Sequence, residues 1–453
     1  MPSRARNDRL RDLLTAAGWS FDNLARAVNS AGTEAGLRLR YDRTAVAHWL
    51  SGTRPRGQVP ALIAEVLTRR LGRPVSSAEL GLTCATAGRK TARPAGKIAA
   101  FADLVRADLD LVGHDKLARS VYRLDVLVVP AWRSKGLDVR HADDRTGPTS
   151  AQVGMARHLT QAFAAANHQY GSGHARTALT AYLADDVLPR LADPVTETVH
   201  RELLGSAIDL ALLIGFACFD SNEHGLAQRY YRFALELAVF DRDPLRYAIV
   251  LRALSQQACH LGHGRPALGL ALAALAAGNH HAQPRTGAFL HAQVSLSYAT
   301  LGRADAALAS HQSARDNLRN ATGPPPTFGS YHRGELDYHA ASIRTFDGDT
   351  SGAIVALRSA LRHYPSAERR SRVLTLAELA ERQLDLGLLT RACATAHRLL
   401  DDYPRVHSGR VTAAMDGLRN RLRQFQRNPA ARAFNQRCSA MSQSHSASSS
   451  SGT

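Results

Sequence analysis

Cysteine is sparse in this chain of 453 residues, and its five copies, Cys84, Cys218, Cys259, Cys393 and Cys438, never fall at a CxxC spacing. An odd, scattered set excludes a disulfide framework and a zinc ribbon, and a thiol within an alanine-rich helix packs as a small apolar group, so these residues read as core. No apolar run approaches the roughly 18 residues of a membrane span, and the N-terminus is charged with no apolar h-region. Neither a span nor a secretion signal is expected, and the chain is expected in the cytoplasm. Aromatic residues make up only 6% of the chain, whose bulk is Ala, Leu and Arg, a composition that favours an all-helical body.

Catalytic signatures are missing as well. There is no HExxH, no GxSxG elbow, no kinase signature and no dinucleotide-binding glycine pattern. The segment NHQYGSGHAR lacks the lysine and the Ser/Thr of a phosphate-binding loop and reads as a glycine-rich turn. His260 and His263 lie three apart, with His280, His281 and His291 beyond, but few carboxylates stand near enough to complete a metal site, so a solvated turn is the better reading. No catalytic residue, cofactor or metal is expected, and the chain does not read as an enzyme.

Negative charge is the minority. Asp and Glu number 39 against 57 Lys and Arg, for a formal net charge of +18 and a pI of about 10.3, and residues 1–90 alone hold 15 basic against 7 acidic side chains. A polyanionic partner is the natural inference. A membrane surface would draw on the same charge, but no wide Trp/Phe/Leu face accompanies these arginines, so no membrane partner is expected.

What is present is most concentrated in YDRTAVAHWLSGTRPR, Tyr41–Arg56. Asp42 is suited to cap a short helix, because its carboxylate can accept from the free amides of the first turn. Val46, Trp49 and Leu50 then fall on one face at helical spacing, while Arg43, Thr44, Ala45 and His48 are left outside. Gly52 provides the left-handed residue that stops the helix. Upstream, Ser20 caps FDNLARAVNS with Phe21, Leu24, Ala25 and Val28 as its apolar stripe, and downstream VPALIAEVLTRRLG carries Val59, Leu62, Ile63, Val66 and Leu67. With Arg9–Ala17 this makes four or five short helices in about 75 residues, and small Ala25 lets the central pair approach.

These residues resemble the Cro/repressor type (XRE-like) of helix-turn-helix regulators. The likeness is carried by DRTAVAHWLSGTRP and the closing ALIAEVLTRRLG. It implies base-edge contacts from Arg43, Thr44 and His48 with Arg40 nearby, since Arg pairs bidentately with guanine and Thr can touch a thymine methyl. It also implies phosphate contacts from Arg54 and Arg56. The sequence departs from the pattern in a longer link between the central helices, Asn29–Leu39, and in Phe21 and Leu50, which stand where polar residues are common.

A second pattern is a repeat. Helix–turn–helix units recur around Ala227, Ala267, Ala307, Ala353 and Ala392, at intervals of 40, 40, 46 and 39 residues. Small residues pair at each helix crossing, Ala227 with Ala234, Ala267 with Ala274, Ala307 with Ala314 and Ala353 with Ala360, and Tyr231 and Leu357 fill the space between adjacent pairs. Gly225, Gly262, Gly302, Gly348 and Gly387 mark turns, and Pro365 and Pro404 fall just past second helices. The units resemble the tetratricopeptide family with extended helices, although none keeps the opening tryptophan. A stack of such pairs predicts a concave surface that takes a peptide, small-molecule or protein effector, or that joins two chains as a homodimer.

The expected architecture is therefore all-α: a helix-turn-helix DNA-binding domain over 1–82, a linker and irregular or helical connector over 83–150, a tetratricopeptide-like solenoid over 151–428 and a disordered Ser-rich tail over 429–453. Within the connector, Thr83–Lys97 has a basic linker composition that would permit the N-terminal domain to move. The segment VYRLDVLVVPAW is β-branched and reads as a brief strand or an apolar plug, and 131–150 as a polar surface loop. From Ala151, Val153, Ala156, Leu159 and Phe163 form one stripe, and Ala178, Tyr182 and Leu183 another. Residues 409–426 read as a capping helix. An N-terminal Cro-type reader followed by helical repeats is similar to a group of actinobacterial regulators. That resemblance implies a cytoplasmic, often repressor-like transcriptional regulator of developmental or secondary-metabolite genes, acting on double-stranded DNA. The alternative is a repeat scaffold that does not bind DNA and titrates another regulator.

Overall fold

The computed structural model describes residues 6–82, 94–130, 132, 150–173, 175–191, 197–278, 280–328 and 331–450. Among them all regular structure is helical, and no strand is found. The chain divides into two compact units, one of residues 1–161 and 176–281, the other of 162–175 and 282–453.

The first unit opens with four short helices, α1 (Asp8–Ala17), α2 (Phe21–Glu34), α3 (Arg43–Leu50) and α4 (Val59–Leu71). Each start is fixed locally. The Ser20 hydroxyl accepts from the Asn23 amide and Asp42 Oδ1 from the Ala45 amide, so that free first-turn donors are satisfied where sequence reasoning put the caps. Leu24, Val28, Val46, Ile63 and Leu67 are fully buried and Trp49 and Leu50 nearly so, forming one core. Phe21 sits at its edge.

The described part of the connector holds two helices, α5 (Pro94–Leu109) and α6 (Leu111–Ala118). Residues 83–93, most of the expected linker, and 133–149, most of the expected polar loop, lie outside the described residues. VYRLDVLVVP makes no strand. It runs extended with one tight turn at Leu124–Val126, and Tyr122 and Leu124 bury against Leu261, so the plug reading holds and the strand reading does not. The reason is that no neighbouring strand offers a ladder. Instead the Gln228 amide brackets one residue, accepting from the Arg123 amide at 3.0 Å and donating to its carbonyl at 2.8 Å.

Helix α7 (Ser150–Tyr170) begins in this unit, followed by α8 (Arg176–Tyr182), a wide turn over Leu183–Val187 and α9 (Leu188–Arg190). The buried stripe here is Leu179, Leu183 and Val187, and Ala178 is exposed. Two helix pairs complete the unit, α10 (Glu197–Asp220) with α11 (His224–Asp241) and α12 (Pro244–His260) with α13 (Gly264–Gly278). Over Thr198–Asp220, α10 is long and apolar enough to cross a membrane by length and composition, contrary to the expectation of no such run, yet 83% of that window is buried inside the protein. It is a buried helix of the first unit.

A buried charge network ties the connector to this pair. Arg176 Nη1 donates to both oxygens of Asp108 at 2.7 and 2.8 Å, His114 Nδ1 lies 2.8 Å from Oδ1, and the Tyr230 hydroxyl donates to Oδ2 at 2.7 Å. The Asp108 side chain is wholly buried, so these partners supply the polar environment that it loses to burial.

The second unit holds the remaining pairs: α14 (Pro284–Ala299) with α15 (Ala304–Arg319), α16 (Arg333–Phe346) with α17 (Thr350–His363), α18 (Arg369–Asp385) with α19 (Leu389–Asp402), and α20 (Gly409–Arg423) with α21 (Pro429–Ser450). The paired alanines at the crossings are buried throughout both units, which lets backbones approach closely. Gly262, Gly302, Gly348 and Gly387 take positive φ in the turns, as expected. Gly225 does not. It lies inside α11, where an added Cβ would stand 2.1 Å from the Ser120 carbonyl oxygen, and Asn222, at φ 65°, makes that turn instead. The expected disordered tail is also corrected: α21 runs to Ser450, because Ala431, Phe434 and Cys438 supply an apolar face that buries against the preceding helices. Residues 409–426 are thus the first helix of a last pair.

Candidate nucleic-acid interface

The short helix α3 presents two faces. Val46, Trp49 and Leu50 anchor it in the domain core, while Arg43, Thr44, Ala47 and His48 are exposed on the outside. Its placement is fixed at both ends. At the start, Asn29 clamps the residue before the cap, its Nδ2 donating to the Tyr41 carbonyl and its Oδ1 accepting the Tyr41 amide, each at 2.8 Å. The Tyr41 ring then meets Trp49 edge-on at 5.0 Å. At the far end the Thr53 amide bonds the His48 carbonyl at 2.9 Å and Gly52 takes φ 98°, turning the chain out of the helix.

The link between α2 and α3 is shorter than expected. Helix α2 continues to Glu34, so the connection is Ala35–Asp42. Leu39 folds back onto α2 over Gly32, where an added Cβ would stand 2.5 Å from the Leu39 methyl. Arg40 is exposed in this link beside the Asn29 clamp, and Arg54 and Arg56 are exposed in the turn beyond α3. The six residues singled out from the sequence are therefore all exposed, in and around one short helix.

Sequence reasoning missed two further arginines. The Asn7 amide donates to the Leu50 carbonyl at 2.9 Å and its side chain to the Leu80 carbonyl, which folds the N-terminal segment under the end of α3. Arg6 and Arg9 thereby join Arg54 around an open cleft of about 640 Å³. The signal available was Asn7 itself, which caps α1 by accepting from the Leu10 amide.

The domain is docked through α4. Glu65 of α4 is 3% exposed, and His263 Nε2–H donates to its Oε1 at 2.7 Å. Arg69 bridges Glu65 and Glu34 at 2.9 and 2.8 Å. Tyr122 tilts against the His263 ring at 5.3 Å. Burial, reinforced by the charge of Glu65, pushes the Tyr122 hydroxyl far above its usual range and keeps it neutral. The reading of His260 and His263 as a solvated turn is thus corrected at His263, which is buried because α4 covers it. The seam leaves only a cleft of about 20 Å³, room for roughly one water. The N-terminal domain is clamped to the repeat turn through α4, with the outer face of α3 left open.

Arg43, Thr44, His48 and the flanking arginines make a surface of hydrogen-bond donors and positive charge with no acidic neighbour in α3 itself. Such a surface can donate to phosphate oxygens and base edges.

Residues 10–83 match the family model described as the SP15 N-terminal domain. No curated protein matches the chain. Among solved structures, the chain is similar to a Rap protein crystallised with the competence and sporulation factor, at 13% identity and a TM-score of 0.42 over 65% of this chain and 97% of that one. It is also similar to BtubC (BKLC) from P. vanneervenii, at 14% identity and a TM-score of 0.34 over 60% of this chain and 94% of that one. With TM-scores under 0.5, neither likeness bears on function.

Proposed function

We propose that the chain is a cytoplasmic DNA-binding transcriptional regulator of the Cro/repressor kind, repressor-like in action, whose helical repeats join two chains and take a peptide, small-molecule or protein effector. One observation carries the reading. The N-terminal domain is held to the body by α4 while Arg43, Thr44 and His48 stay exposed, so its docking does not cover the surface that would enter a groove.

In this reading Arg43, Thr44 and His48 face base edges in the major groove, with Arg40 at the start of α3. Arg54 and Arg56 lie against phosphates, joined by Arg6 and Arg9, and add affinity without sequence information. A helix of eight residues reaches only about 12 Å along a groove. Specificity then calls for two readers, and a homodimer would place them on half-sites about 34 Å apart. Because the reader is clamped, an effector on the repeats would act by moving the two bodies that carry it.

Selection of genomic fragments by the purified protein, followed by sequencing, tests this. The expected result is enrichment of paired half-sites separated by about one DNA turn. Even retention of all fragments at moderate salt favours the scaffold that titrates another regulator.

A further inference from the structure

The last repeats of the second unit hold a basic groove far along the chain from the candidate nucleic-acid interface. Its walls are α17 and α19, the second helices of successive pairs, and its floor is α18. Arg358 and Arg362 line one wall, and Arg391 and Arg398 the other, around an open volume of about 410 Å³ with no acidic residue in the lining. All four arginines are exposed. Elsewhere in this unit arginines are commonly matched, as Arg421 is by Asp385 and Arg437 by Asp401, each at 2.7 Å. The four groove arginines make no such ion pair among the described residues.

This arrangement costs stability in the chain alone. Arg358 and Arg362 are one helical turn apart, a spacing at which like charges repel, and the two walls repeat the same sign. The floor is mixed. Leu361 and Leu379 are buried beneath it. Gln383 is 2% exposed and accepts the Thr395 hydroxyl at 2.8 Å through Oε1, which ties α18 to α19 beneath the groove.

The geometry points to a docking site for an acidic peptide segment of a partner protein, with carboxylates on the two arginine walls and an apolar side chain over Leu361 and Leu379. Arginine forks suit carboxylates bidentately. Nucleic acid fits less well, because the lining offers no aromatic ring on which a base could stack. The site deepens the proposed effector role of the repeats and rests on it for its biological meaning, but not on DNA binding.

The test uses the full chain and a fluorescein-labelled octapeptide of alternating glutamate and leucine, followed by fluorescence anisotropy at low salt. The wild type is expected to bind it and to ignore the lysine/leucine counterpart. Arg358→Ala with Arg362→Ala, and Arg391→Ala with Arg398→Ala, should each weaken binding at least about tenfold, while Arg319→Ala on α15 should not. Arg391→Glu with Arg398→Glu should turn the preference towards the lysine peptide, which separates recognition from any loss of fold. The proposal is overturned by a wild type that does not bind, by equal binding of both peptides, or by double variants that bind as the wild type does. Double variants that lose duplex DNA but keep the peptide also overturn it. Because the probe is a peptide and Arg43 lies outside the groove, failure of DNA binding leaves these outcomes readable.

Discussion

His263 and Glu65 are 198 residues apart in sequence and 2.7 Å apart in the fold. Both are almost completely buried, so the bond joins a turn of the repeats to the last helix of the N-terminal domain in an environment that water does not screen. Glu65→Ala and His263→Ala are each expected to cost about 1–3 kcal/mol. Because each removes the other's partner, the double variant should cost less than the sum, with a coupling of about 0.5–3 kcal/mol. A double-mutant cycle on unfolding free energies checks this, and strict additivity would count against the latch.

Gly225 and Gly302 separate two uses of glycine. At Gly225 a Cβ meets the Ser120 carbonyl oxygen at 2.1 Å, whereas at Gly302 it meets nothing but the backbone stands at φ 68°. Gly302→Ala is expected to cost about 1 kcal/mol from backbone strain alone. Gly225→Ala should cost about 1–3 kcal/mol, since it drives apart the segment carrying Tyr122 and helix α11. Equal melting temperatures for the two variants would contradict the close-packing role.

Asp108 gathers Arg176, His114 and Tyr230. Asp108→Ala strands a mostly buried guanidinium and should cost about 3–5 kcal/mol. Tyr230→Phe removes one hydrogen bond and should cost about 1 kcal/mol. Denaturant unfolding of both variants tests the ranking, and a reversed order would contradict the Asp108 carboxylate as the centre of this network.

His311 is 5% exposed, and burial, with nearby Arg315 and Arg344, lowers its pKa to about 4. The folded state keeps the ring neutral between pH 4 and the unfolded value near 6.5 while the unfolded chain takes up a proton. Stability is therefore present above about pH 6.5 and lost as the pH falls towards 4. The expected loss is about 2–3 kcal/mol, and His311→Leu should flatten that part of the stability–pH curve. An unchanged slope in the variant would assign the loss to another group.

The N-terminal domain was legible because its signals are local. Asp42, Ser20 and Gly52 act within four residues of where they stand, and the burial of Val46, Trp49 and Leu50 follows from helical period alone. The repeats were legible for the same reason, through paired small residues one or two turns apart. What was not legible depends on distant partners. Nothing near His263 announces Glu65, and nothing near Gly225 announces the Ser120 carbonyl that makes glycine necessary inside a helix. Helix α21 was missed because its serine-rich end outweighed Ala431, Phe434 and Cys438, whose value lies in the apolar face that receives them. Among the arginines around α3, Arg6 and Arg9 escaped notice because the Asn7–Leu50 bond that brings them to Arg54 is distant in sequence.

The most direct measurement is the salt-dependent affinity of purified wild type, Arg43→Ala and Arg56→Ala for a selected genomic fragment and a scrambled one. Arg43→Ala is predicted to lose about 1–3 kcal/mol on the selected fragment and most of the difference between the two fragments. Arg56→Ala is predicted to weaken both alike and to reduce the salt slope by about one. Wild-type protein that binds the two fragments equally, or an Arg43→Ala variant that keeps full preference, would contradict the assignment of the exposed face of α3 as a reader of DNA.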